Sequence, residues 1–250
     1  MPPSRDAGDM RHVRFVDPAG TVRHGEWDDG TVTAAGRSYA ADAVDVLPPT
    51  APSKVLGVGR NYREVYDDSS EFPDRPRIWW KGTENVLAGH GDTVTLPEGA
   101  EVVYEAELGV VVGEECRDLD PADVPDVVAG YTCVNDLSNL DHGDDASFLR
   151  VKSFDNAAPM GPVLADPEHV PDQPRVRLWL DGERVQDSAG DEFVFTVPEA
   201  VAAFSRHVTL RPGDVVMMGT PADFAPVGAG THVAVEVEGV GRLEHRIERA

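Results

Sequence analysis

Two glutamates stand close together in a mainly apolar part of the chain. Glu105 and Glu107 lie two residues apart within the stretch from Val102 to Gly113. In an extended strand, side chains two residues apart project from the same face, so both carboxylates would share one face. The alternate residues are apolar and predict a buried opposite face. The glutamate face is then either an exposed acidic face or a pair of oxygen ligands for a divalent cation, whose charge would offset their repulsion.

A third carboxylate lies at the end of the next predicted strand. The segment YTCVND, residues 131–136, reads as a strand that ends at Asp136. Functional groups are commonly presented at strand ends, and hard divalent cations take several oxygen ligands. Asp136 is therefore the candidate for a third ligand beside the two glutamates.

The charge balance limits the classes of partner. The chain has 45 acidic and 22 basic residues, which gives a formal net charge of −23. A surface this acidic would repel nucleic acids and anionic membranes, so we expect neither as a partner. Hydrophobic residues make up 41% of the chain, which is enough for a folded core.

Lysine is rare in this sequence. The only lysines are Lys54, Lys81 and Lys152, and the other basic residues are arginines. An acid-rich, lysine-poor composition is typical of proteins adapted to high salt, where carboxylates keep the surface hydrated and salt screens their repulsion. We therefore predict a halophilic protein and expect each lysine to have a specific task.

Cysteine usage and targeting signals indicate the compartment. Cys116 and Cys133 form no CxxC motif and are expected to be free thiols. No apolar run reaches the length of a membrane span, and the first ten residues lack the apolar core of a signal peptide. These features predict a soluble, cytoplasmic protein.

Turn and strand signals predict two units in the chain. Short strands around an Asp29-Gly30 turn occupy the first fifty residues, and an extended stretch from Pro48 to Pro52 links them to the rest. The sequence thus predicts a small N-terminal β unit over residues 1–50 and a main domain over residues 51–250. Within the main domain, a hairpin is predicted about Asp181-Gly182.

Few helices are predicted in the main domain. Asp120 and Pro121 indicate a helix start, and Gly130 would close that helix. Thr196 and Glu199 form a capping box that opens a second helix. Because strand signals dominate the remainder, the predicted fold class is α+β and β-rich, with only short helices.

Seven motifs follow one another in the order found in the fumarylacetoacetate hydrolase family, and the chain resembles that family. They are GVGRNY (57–62), IWWKG (78–82), YEAELGVVVG (104–113), GYTCVND (130–136), KSFDNAAPMGP (152–162), DGERVQ (181–186) and LRPGDVVMMGTP (210–221). Each motif alone is weakly specific, but the ordered set is strong. The resemblance implies a mixed β-sandwich roll of this family's type, with short helices and the small N-terminal β unit.

The resemblance also implies a metal-dependent enzyme. One Mg²⁺, or Mn²⁺ or Ca²⁺, would be held by Glu105, Glu107 and Asp136, with open positions for water and substrate. The implied substrate is a small oxo-acid, either an α-keto or a β-diketo acid, that reacts through a metal-stabilised enolate. C–C bond hydrolysis, decarboxylation and keto–enol isomerisation share this chemistry. A homodimer is expected because the family commonly forms one.

Family positions further imply residues that contact the substrate. Lys152 falls on the position that contacts the substrate oxygens and is the candidate catalytic lysine. Lys81 is either a second lysine of the site or a solvated strand end, and Gln186 either binds substrate or caps its hairpin. The other implied substrate-binding residues are Arg60, Tyr62 and Thr220.

The chain departs from the family pattern where the catalytic base is usually found. Family hydrolases and decarboxylases carry a histidine and a glutamate after GRNY, and here Val65 and Asp68 stand at those positions. Valine cannot transfer a proton, so the usual base is absent. Leu140 likewise replaces an arginine that commonly follows the ND motif.

Three interpretations are compatible with this departure. The chain could be an enzyme that recruits its base elsewhere, with Glu64, Asp68 and His142 as candidates. It could catalyse a step that needs less base chemistry, such as metal-assisted decarboxylation or tautomerisation. It could also be a catalytically degenerate relative that binds metal and ligand without turnover.

Overall fold

The computed structural model describes residues 11–145, 147–188 and 191–249. Within these ranges the chain forms nineteen strands, two α-helices and several short 3-10 turns. Helix α1 (Leu149–Lys152) has four residues, and helix α2 (Val197–Ser205) has nine. The predicted β-rich α+β fold with short helices is confirmed.

The larger of two main sheets contains twelve strands. They are β1 (Arg11–Val16), β2 (Val22–Asp28), β3 (Thr31–Ala34), β4 (Arg37–Ala40), β5 (Asp45–Leu47), β6 (Val55–Gly59), β7 (Arg77–Lys81), β8 (Leu87–Ala88), β11 (Ala106–Val112), β12 (Val128–Asn135), β14 (Ala158–Ala165) and β17 (Val215–Met217). The main path is β4-β3-β2-β1-β14-β12-β11-β17-β6-β7, while β5 pairs with β1 and β8 with β14. Strands β11 and β12 therefore have neighbours on both sides.

A second sheet of five strands covers the first. In spatial order its strands are β16 (Glu183–Asp187), β15 (Val176–Leu180), β18 (His232–Val237), β19 (Gly241–Arg249) and β9 (Thr93–Leu96). Strands β15 and β18 contact β11, and β18 and β19 contact β12, so the two sheets close on a shared core. Two short strands, β10 (Val102–Val103) and β13 (Ser138–Asn139), pair with each other beside this core.

The N-terminal strands are continuous with the larger sheet. Strand β1 pairs with β14 at Arg11 and His12. The N-terminal strands also have a small hydrophobic cluster of their own around Phe15 and Val32. The boundary between residues 50 and 51 stays a prediction.

The two Asp-Gly turns and the capping box of α2 form as the sequence predicts. Asp29 and Gly30 have φ angles of 40° and 79°, and Asp181 and Gly182 have φ angles of 48° and 85°. Two positive φ angles in a row are characteristic of the tight hairpin turn predicted for Asp-Gly. The capping box at the start of α2 is present, with side chain and backbone bonded in both directions.

The stretch around the two glutamates differs from the prediction of one half-exposed strand. Strand β10 ends at Val103 and β11 begins at Ala106, so the chain is irregular at Tyr104 and Glu105. All seven residues of β11 are buried, because the second sheet packs against one face and the other face carries Glu107 and Val111, the latter in a second hydrophobic cluster with Val134 and Met217. An exposed acidic face is therefore excluded, and Glu107 is only 2% exposed.

The prediction of a helix that starts at Asp120 and is closed by Gly130 was also wrong, both in the type of helix and in where it ends. Residues Pro121–Val127 form a 3-10 helix, and the side chain of Asp120 makes no capping hydrogen bond. Pro125 lies inside this helix and has no N–H to donate, which disfavours a regular α-helix. The chain then enters β12 at Val128, so Gly130 lies in a strand and does not close a helix.

Other expectations concern thiols and membrane spans. Cys116 and Cys133 are both buried and free. Among the residues that the structure describes, no helix combines the length and the apolar character needed to cross a bilayer.

Candidate active site

The three predicted metal ligands lie together where two central strands meet. Strands β11 and β12 are antiparallel and pair Ala106 with Asn135, so the start of one lies beside the end of the other. This register places Glu105 and Glu107 beside Asp136. One carboxylate oxygen from each of the three lies within 4.8 Å of the other two.

Two lysines neutralise part of this acidic cluster. The ammonium of Lys152 donates to Glu105 Oε2 at 2.7 Å and to Asp136 Oδ2 at 2.5 Å. Lys81 donates to the other oxygen of Asp136 and to the carbonyl of Leu137. Lys81 is fully buried, so it is not a solvated strand end. We call these three carboxylates and two ammonium groups the carboxylate floor.

Burial and mutual repulsion raise the pKa of both glutamates. Burial is the main cause for Glu105, although the nearby Lys152 ammonium opposes it. The pKa of Glu107 is raised well above its usual value by burial and by the charges of Asp136 and Glu105. Two buried like charges this close are costly without a cation between them.

The other three groups of the floor are shifted in different directions. Burial raises the pKa of Asp136, but the Lys152 and Lys81 ammonium groups outweigh it, so the net pKa is lowered. Burial lowers the pKa of Lys81 more than Asp136 raises it. For Lys152 burial is outweighed by Asp136, Glu105 and Glu107, so its pKa is raised and it stays an ammonium.

Side-chain amides hold the backbone where the strand is interrupted. The N–H of Glu105 donates to Asn135 Oδ1 at 2.9 Å, and the N–H of Ala106 donates to Gln186 Oε1 at 3.1 Å. The amide nitrogen of Asn135 lies 3.0 Å from His245 Nε2. Since the oxygen of Asn135 already accepts from Glu105, its nitrogen donates, and His245 carries its proton on Nδ1.

Each glutamate side chain is also fixed by a hydrogen bond from outside its own strand. The hydroxyl of Ser138 donates to Glu105 Oε1 at 2.9 Å. The backbone N–H of Gly219 donates to Glu107 Oε2 at 2.5 Å. Gly219 has φ +87°, and a Cβ there would lie 2.9 Å from the carbonyl oxygen of Val58, so only glycine fits.

A cavity of about 550 Å³ opens above the carboxylate floor. Glu105, Glu107 and Lys152 line its polar end, and Arg60 and Arg77 are exposed charged residues of its lining. Between these charged groups the wall is mainly apolar. The apolar lining residues are Val58, Val65, Ile78, Trp79, Leu140, Phe148, Val151 and Phe224.

Trp79 supports the lysine that faces the cavity. The Lys152 ammonium lies 4.7 Å from the centre of the Trp79 ring, within the range of a cation–π contact. The Trp79 ring packs over Gly57 on the neighbouring strand, where any Cβ would overlap it. Gly57 thus gives the ring the space that brings it beneath Lys152.

Comparison with known proteins identifies the family. Residues 54–248 match the family described as Fumarylacetoacetate (FAA) hydrolase C-terminal. This range covers the carboxylate floor and the whole cavity lining. The chain belongs to the fumarylacetoacetate hydrolase family.

Similar proteins extend over most of the chain. An uncharacterized protein of Archaeoglobus fulgidus is 36% identical over 237 residues, covering 93% of this chain and 94% of its own. The 4-hydroxyphenylacetate degradation bifunctional isomerase/decarboxylase of Escherichia coli is 38% identical over 209 residues, covering 80% of this chain and 48% of its own. This chain therefore spans about half the length of the Escherichia coli protein.

Solved structures of the fumarylacetoacetate hydrolase family confirm the predicted fold. The 5-carboxymethyl-2-hydroxymuconate delta-isomerase of Mycobacterium smegmatis superposes with a TM-score of 0.86 at 30% identity, covering 96% of this chain and all of its own. The resemblance drawn from seven sequence motifs is thus correct. Because similar members of the family are named as an isomerase and as a bifunctional isomerase/decarboxylase, the prediction of an enzyme is confirmed, with its reaction left open.

The donor set of the family site fits a hard divalent cation. Glu105, Glu107 and Asp136 offer carboxylate oxygens that converge, and two of the three side chains are almost fully buried. Such cations bind oxygen ligands, and a bound cation would offset the repulsion that raises the pKa of both glutamates. The residues present therefore fit the implied metal.

The structure brings some of the predicted substrate-binding residues to the cavity. Arg60, Lys152 and Thr220 line it. Lys81 lies beneath the cavity, paired with Asp136. Tyr62 is buried outside the cavity lining, with its ring packed edge-on against Phe193.

The candidate replacement bases do not line the cavity. The carboxylate of Asp68 is exposed and accepts the N–H of Ser70 at 2.7 Å. Glu64 accepts the N–H of Ala222 at 2.7 Å. His142 lines a separate surface depression formed by the neighbouring loop and α1. None of these three residues is brought to the carboxylate floor.

Sequence reasoning missed several residues that shape the site. Asn135, Ser138 and Trp79 each contact a group of the floor or hold its backbone. Asn135 and Trp79 stand inside motifs that the sequence displays, but their side-chain contacts depend on the strand register. Gln186 was expected either to bind substrate or to cap its hairpin; in the structure it is buried, and its side chain is bonded to the backbone of Ala106, Pro221 and Ala222 and to the hydroxyl of Thr220.

Proposed function

We propose that this chain is a divalent-cation-dependent enzyme that decarboxylates a small oxo-acid. The cation, Mg²⁺ or Mn²⁺, would be held by Glu105, Glu107 and Asp136. When bound, it would supply Lewis-acid chemistry by drawing negative charge onto the keto oxygen of the substrate. The observation that carries the choice of reaction is the lining of the cavity, which provides a proton donor but no base beyond the ligands themselves.

Lys152 is the proton donor of this site. Its ammonium has three N–H groups, of which two are directed to Glu105 and Asp136. Because Lys152 also lines the cavity, its remaining N–H can hold a substrate oxygen or deliver a proton to a substrate carbon. Trp79 beneath it keeps the ammonium in place.

The three reactions of the family differ in what they require from the protein. Hydrolysis of a C–C bond needs a base to activate water, and isomerisation needs a base to remove a proton from carbon. Decarboxylation of a β-keto acid needs neither. The bond to the carboxylate breaks, its electron pair moves towards the keto oxygen, CO₂ leaves, and the carbon takes up one proton.

The described part of the cavity lining matches the third requirement. It contains no histidine and no carboxylate other than Glu105 and Glu107. Val65 lies in the wall at the position where the family pattern has histidine. Similarity to the isomerase/decarboxylase of Escherichia coli supports a role in oxo-acid chemistry.

Isomerisation is the second candidate, and one observation favours it. The Mycobacterium smegmatis isomerase superposes over 96% of this chain at 30% identity. For this reaction the base would have to come from outside the described lining. Direct comparison of substrates decides between the two candidates.

The test is a substrate panel with purified protein in high salt. Oxaloacetate, an acylpyruvate and a hydroxymuconate-type acid are each incubated with Mg²⁺ or Mn²⁺ and with EDTA. We expect cation-dependent loss of CO₂ from oxaloacetate and no cleavage of the acylpyruvate. Faster hydrolysis of the acylpyruvate than decarboxylation of oxaloacetate would contradict the proposal. Cation binding without turnover of any acid would support a catalytically degenerate relative.

High salt is chosen because of the distribution of lysine. All three lysines are buried, each within an ion pair with a carboxylate, so lysine contributes almost nothing to the surface. A carboxylate-rich surface with arginine as its main cation supports adaptation to high salt.

We further infer from family membership a homodimer located in the cytoplasm, and light scattering on the purified protein tests the oligomeric state.

A further inference from the structure

Gln186 lies behind the candidate active site and does not line its cavity. It belongs to β16 in the second sheet and is 2% exposed. A buried amide must satisfy its oxygen and both N–H groups within the protein. The positions of these bonds show what the residue holds.

The oxygen of Gln186 is bonded between the two glutamates of the carboxylate floor. It accepts the N–H of Ala106, the residue that separates Glu105 from Glu107. The strand interruption leaves the N–H groups of Glu105 and Ala106 to side-chain acceptors, namely Asn135 and Gln186. The orientation of both glutamates therefore depends on side-chain amides.

The nitrogen of Gln186 is bonded to a different segment. It lies 3.1 Å from each of three acceptors, which are Thr220 Oγ1 and the carbonyl oxygens of Pro221 and Ala222. We call residues 219–224 the mouth loop, because Gly219, Thr220 and Phe224 line the cavity.

The mouth loop is also tied to the floor and to its other neighbours. Its first residue, Gly219, donates to Glu107. Ala222 N–H donates to Glu64 at 2.7 Å, and the carbonyl of Asp223 accepts from the Tyr104 hydroxyl at 3.1 Å. Gln186 is thus the residue whose single amide group joins the glutamate backbone to three successive residues of the loop.

We propose that Gln186 is a positioning residue that couples cation binding at Glu105 and Glu107 to the substrate-facing mouth loop. It acts through backbone and loop contacts and does not touch the substrate. The proposal rests on the proposed function, since it requires that the carboxylates hold a cation and that an oxo-acid binds beside them. Its two halves are separable, because the amide oxygen serves the glutamates and the amide nitrogen serves the loop.

Two substitutions separate these halves. Gln186→Met preserves length and removes both the acceptor and the donor. Gln186→Glu keeps an acceptor for Ala106 and, once its carboxylate is ionised, loses the donor to the loop; it is measured at about pH 9 to favour ionisation against the effect of burial. The matched control is Gln173→Met, because Gln173 is the other glutamine of the chain and its oxygen accepts the N–H of Phe193 at 2.9 Å.

The measurements are Mn²⁺ binding by calorimetry and oxalate binding at saturating Mn²⁺, with thermal unfolding in EDTA to confirm folding. We expect Gln186→Met to weaken Mn²⁺ binding about 10- to 100-fold, the usual effect of losing an outer-shell partner. Gln186→Glu should keep Mn²⁺ affinity within about threefold, since its acceptor remains, and weaken oxalate binding about 10-fold or more through the displaced loop. Gln173→Met should change neither constant.

Different results would overturn the coupling proposal and the proposed function. Wild-type Mn²⁺ affinity in a folded Gln186→Met variant would overturn the coupling proposal, as would an equal loss in Gln173→Met. If Gln186→Met does not fold, Gln186→Glu decides, and unchanged oxalate binding in that variant would overturn the proposal. A wild-type protein that binds no Mn²⁺ would instead overturn the proposed function.

Discussion

The carboxylate floor and the segment that follows GRNY differ in how firmly their side chains are held. Every charged group of the floor makes at least one hydrogen bond with a residue of another element, and four of the five groups are less than one-tenth exposed. The segment from 63 to 76, which we call the flap segment, contains two single-turn 3-10 helices and mostly exposed or half-buried side chains. Its contribution to the cavity lining is apolar, through Val65.

This difference separates the proposed cation site from the segment in which the family pattern has its base. The carboxylates of the floor converge, are held by hydrogen bonds and fit a divalent cation. The flap segment places no group that could remove a proton in the cavity lining, to which it contributes only Val65. Since the floor carries the proposed cation ligands and the flap segment gives the cavity only an apolar residue, substitutions in each region should have separable effects.

The largest expected effect comes from removing a ligand of the floor. Glu107→Gln keeps the size of the side chain and removes its charge, so we expect Mn²⁺ affinity to fall by more than about 100-fold, beyond the effect of outer-shell changes. Turnover should be lost with it. Calorimetry with Mn²⁺ measures the loss, and Glu114→Gln, an exposed glutamate just after the same strand, should bind normally.

The metal-free form of this variant gives an internal check. Burial and the charges of Asp136 and Glu105 raise the pKa of Glu107, so neutralising Glu107 removes an unfavourable charge. The melting temperature of Glu107→Gln in EDTA should therefore equal or exceed that of the wild type. A lower melting temperature together with unchanged Mn²⁺ affinity would show that Glu107 has a structural task only.

The next effect separates proton donation from cation binding within the floor. Lys152→Met removes the proposed acid, so kcat for oxaloacetate should fall about 10²- to 10⁴-fold. Mn²⁺ affinity should be equal or higher, because an ammonium no longer competes for Glu105 and Asp136. Steady-state kinetics and calorimetry measure both quantities.

Arg150→Met is the matched control for this substitution, since it removes an exposed cation from the same short helix. It should leave kcat and Mn²⁺ affinity unchanged. Loss of Mn²⁺ binding in Lys152→Met would mean that the lysine organises the floor and is not the acid.

A smaller effect is expected from restoring a base to the flap segment. Val65→His places an imidazole in the cavity wall, and we expect it to hydrolyse the acylpyruvate that the wild type does not cleave, at a rate about 10-fold or more above the protein-free background. Val65→Gln, which is polar but cannot take a proton near neutral pH, serves as control. Equal rates for the two variants would show that the missing histidine does not explain the choice of reaction.

The smallest effect concerns His245, which is hydrogen-bonded to Asn135 behind the carboxylate floor. Burial, with a smaller contribution from the nearby His232 and His90, lowers the pKa of His245 to about 3. The unfolded chain binds a proton near pH 6.5 and the folded protein does not, so stability is greatest above that pH and decreases as pH falls towards 3. Between pH 7 and pH 5 this group should remove about 2 kcal/mol from the free energy of unfolding.

Urea unfolding at the two pH values measures this contribution as a difference between proteins. His245→Gln keeps an acceptor for Asn135 and does not titrate, so its stability should decrease less than that of the wild type over the same interval. Equal decreases in both proteins would show that His245 is charged or solvated in the fold.

Much of the site could be predicted from the sequence because it depends on short spacings. The alternating pattern places Glu105 and Glu107 on one face of a strand, and the next predicted strand ends at Asp136. Both observations predict carboxylates where neighbouring strands can bring them together. The Asp-Gly turns and the capping box are likewise decided by residues close in sequence. Local chemistry fixes these features regardless of the rest of the fold.

Other features depend on residues far apart in the chain. The alternation of side chains along the strand shows which of them share a face, but burial of both faces of β11 depends on the second sheet on one side and on a second hydrophobic cluster on the other. The contact of Gln186 with Ala106 spans 80 residues, and that of Asn135 with Glu105 spans 30. Neither amide could be assigned to a backbone N–H before the strand interruption at Glu105 was known.

The most direct test of the central claim is CO₂ release from oxaloacetate as a function of Mn²⁺ concentration in high salt. We expect saturable CO₂ release by the wild-type protein that is abolished by EDTA and by Glu107→Gln. A wild-type protein that, saturated with Mn²⁺, released no more CO₂ than the Glu107→Gln variant would contradict this expectation.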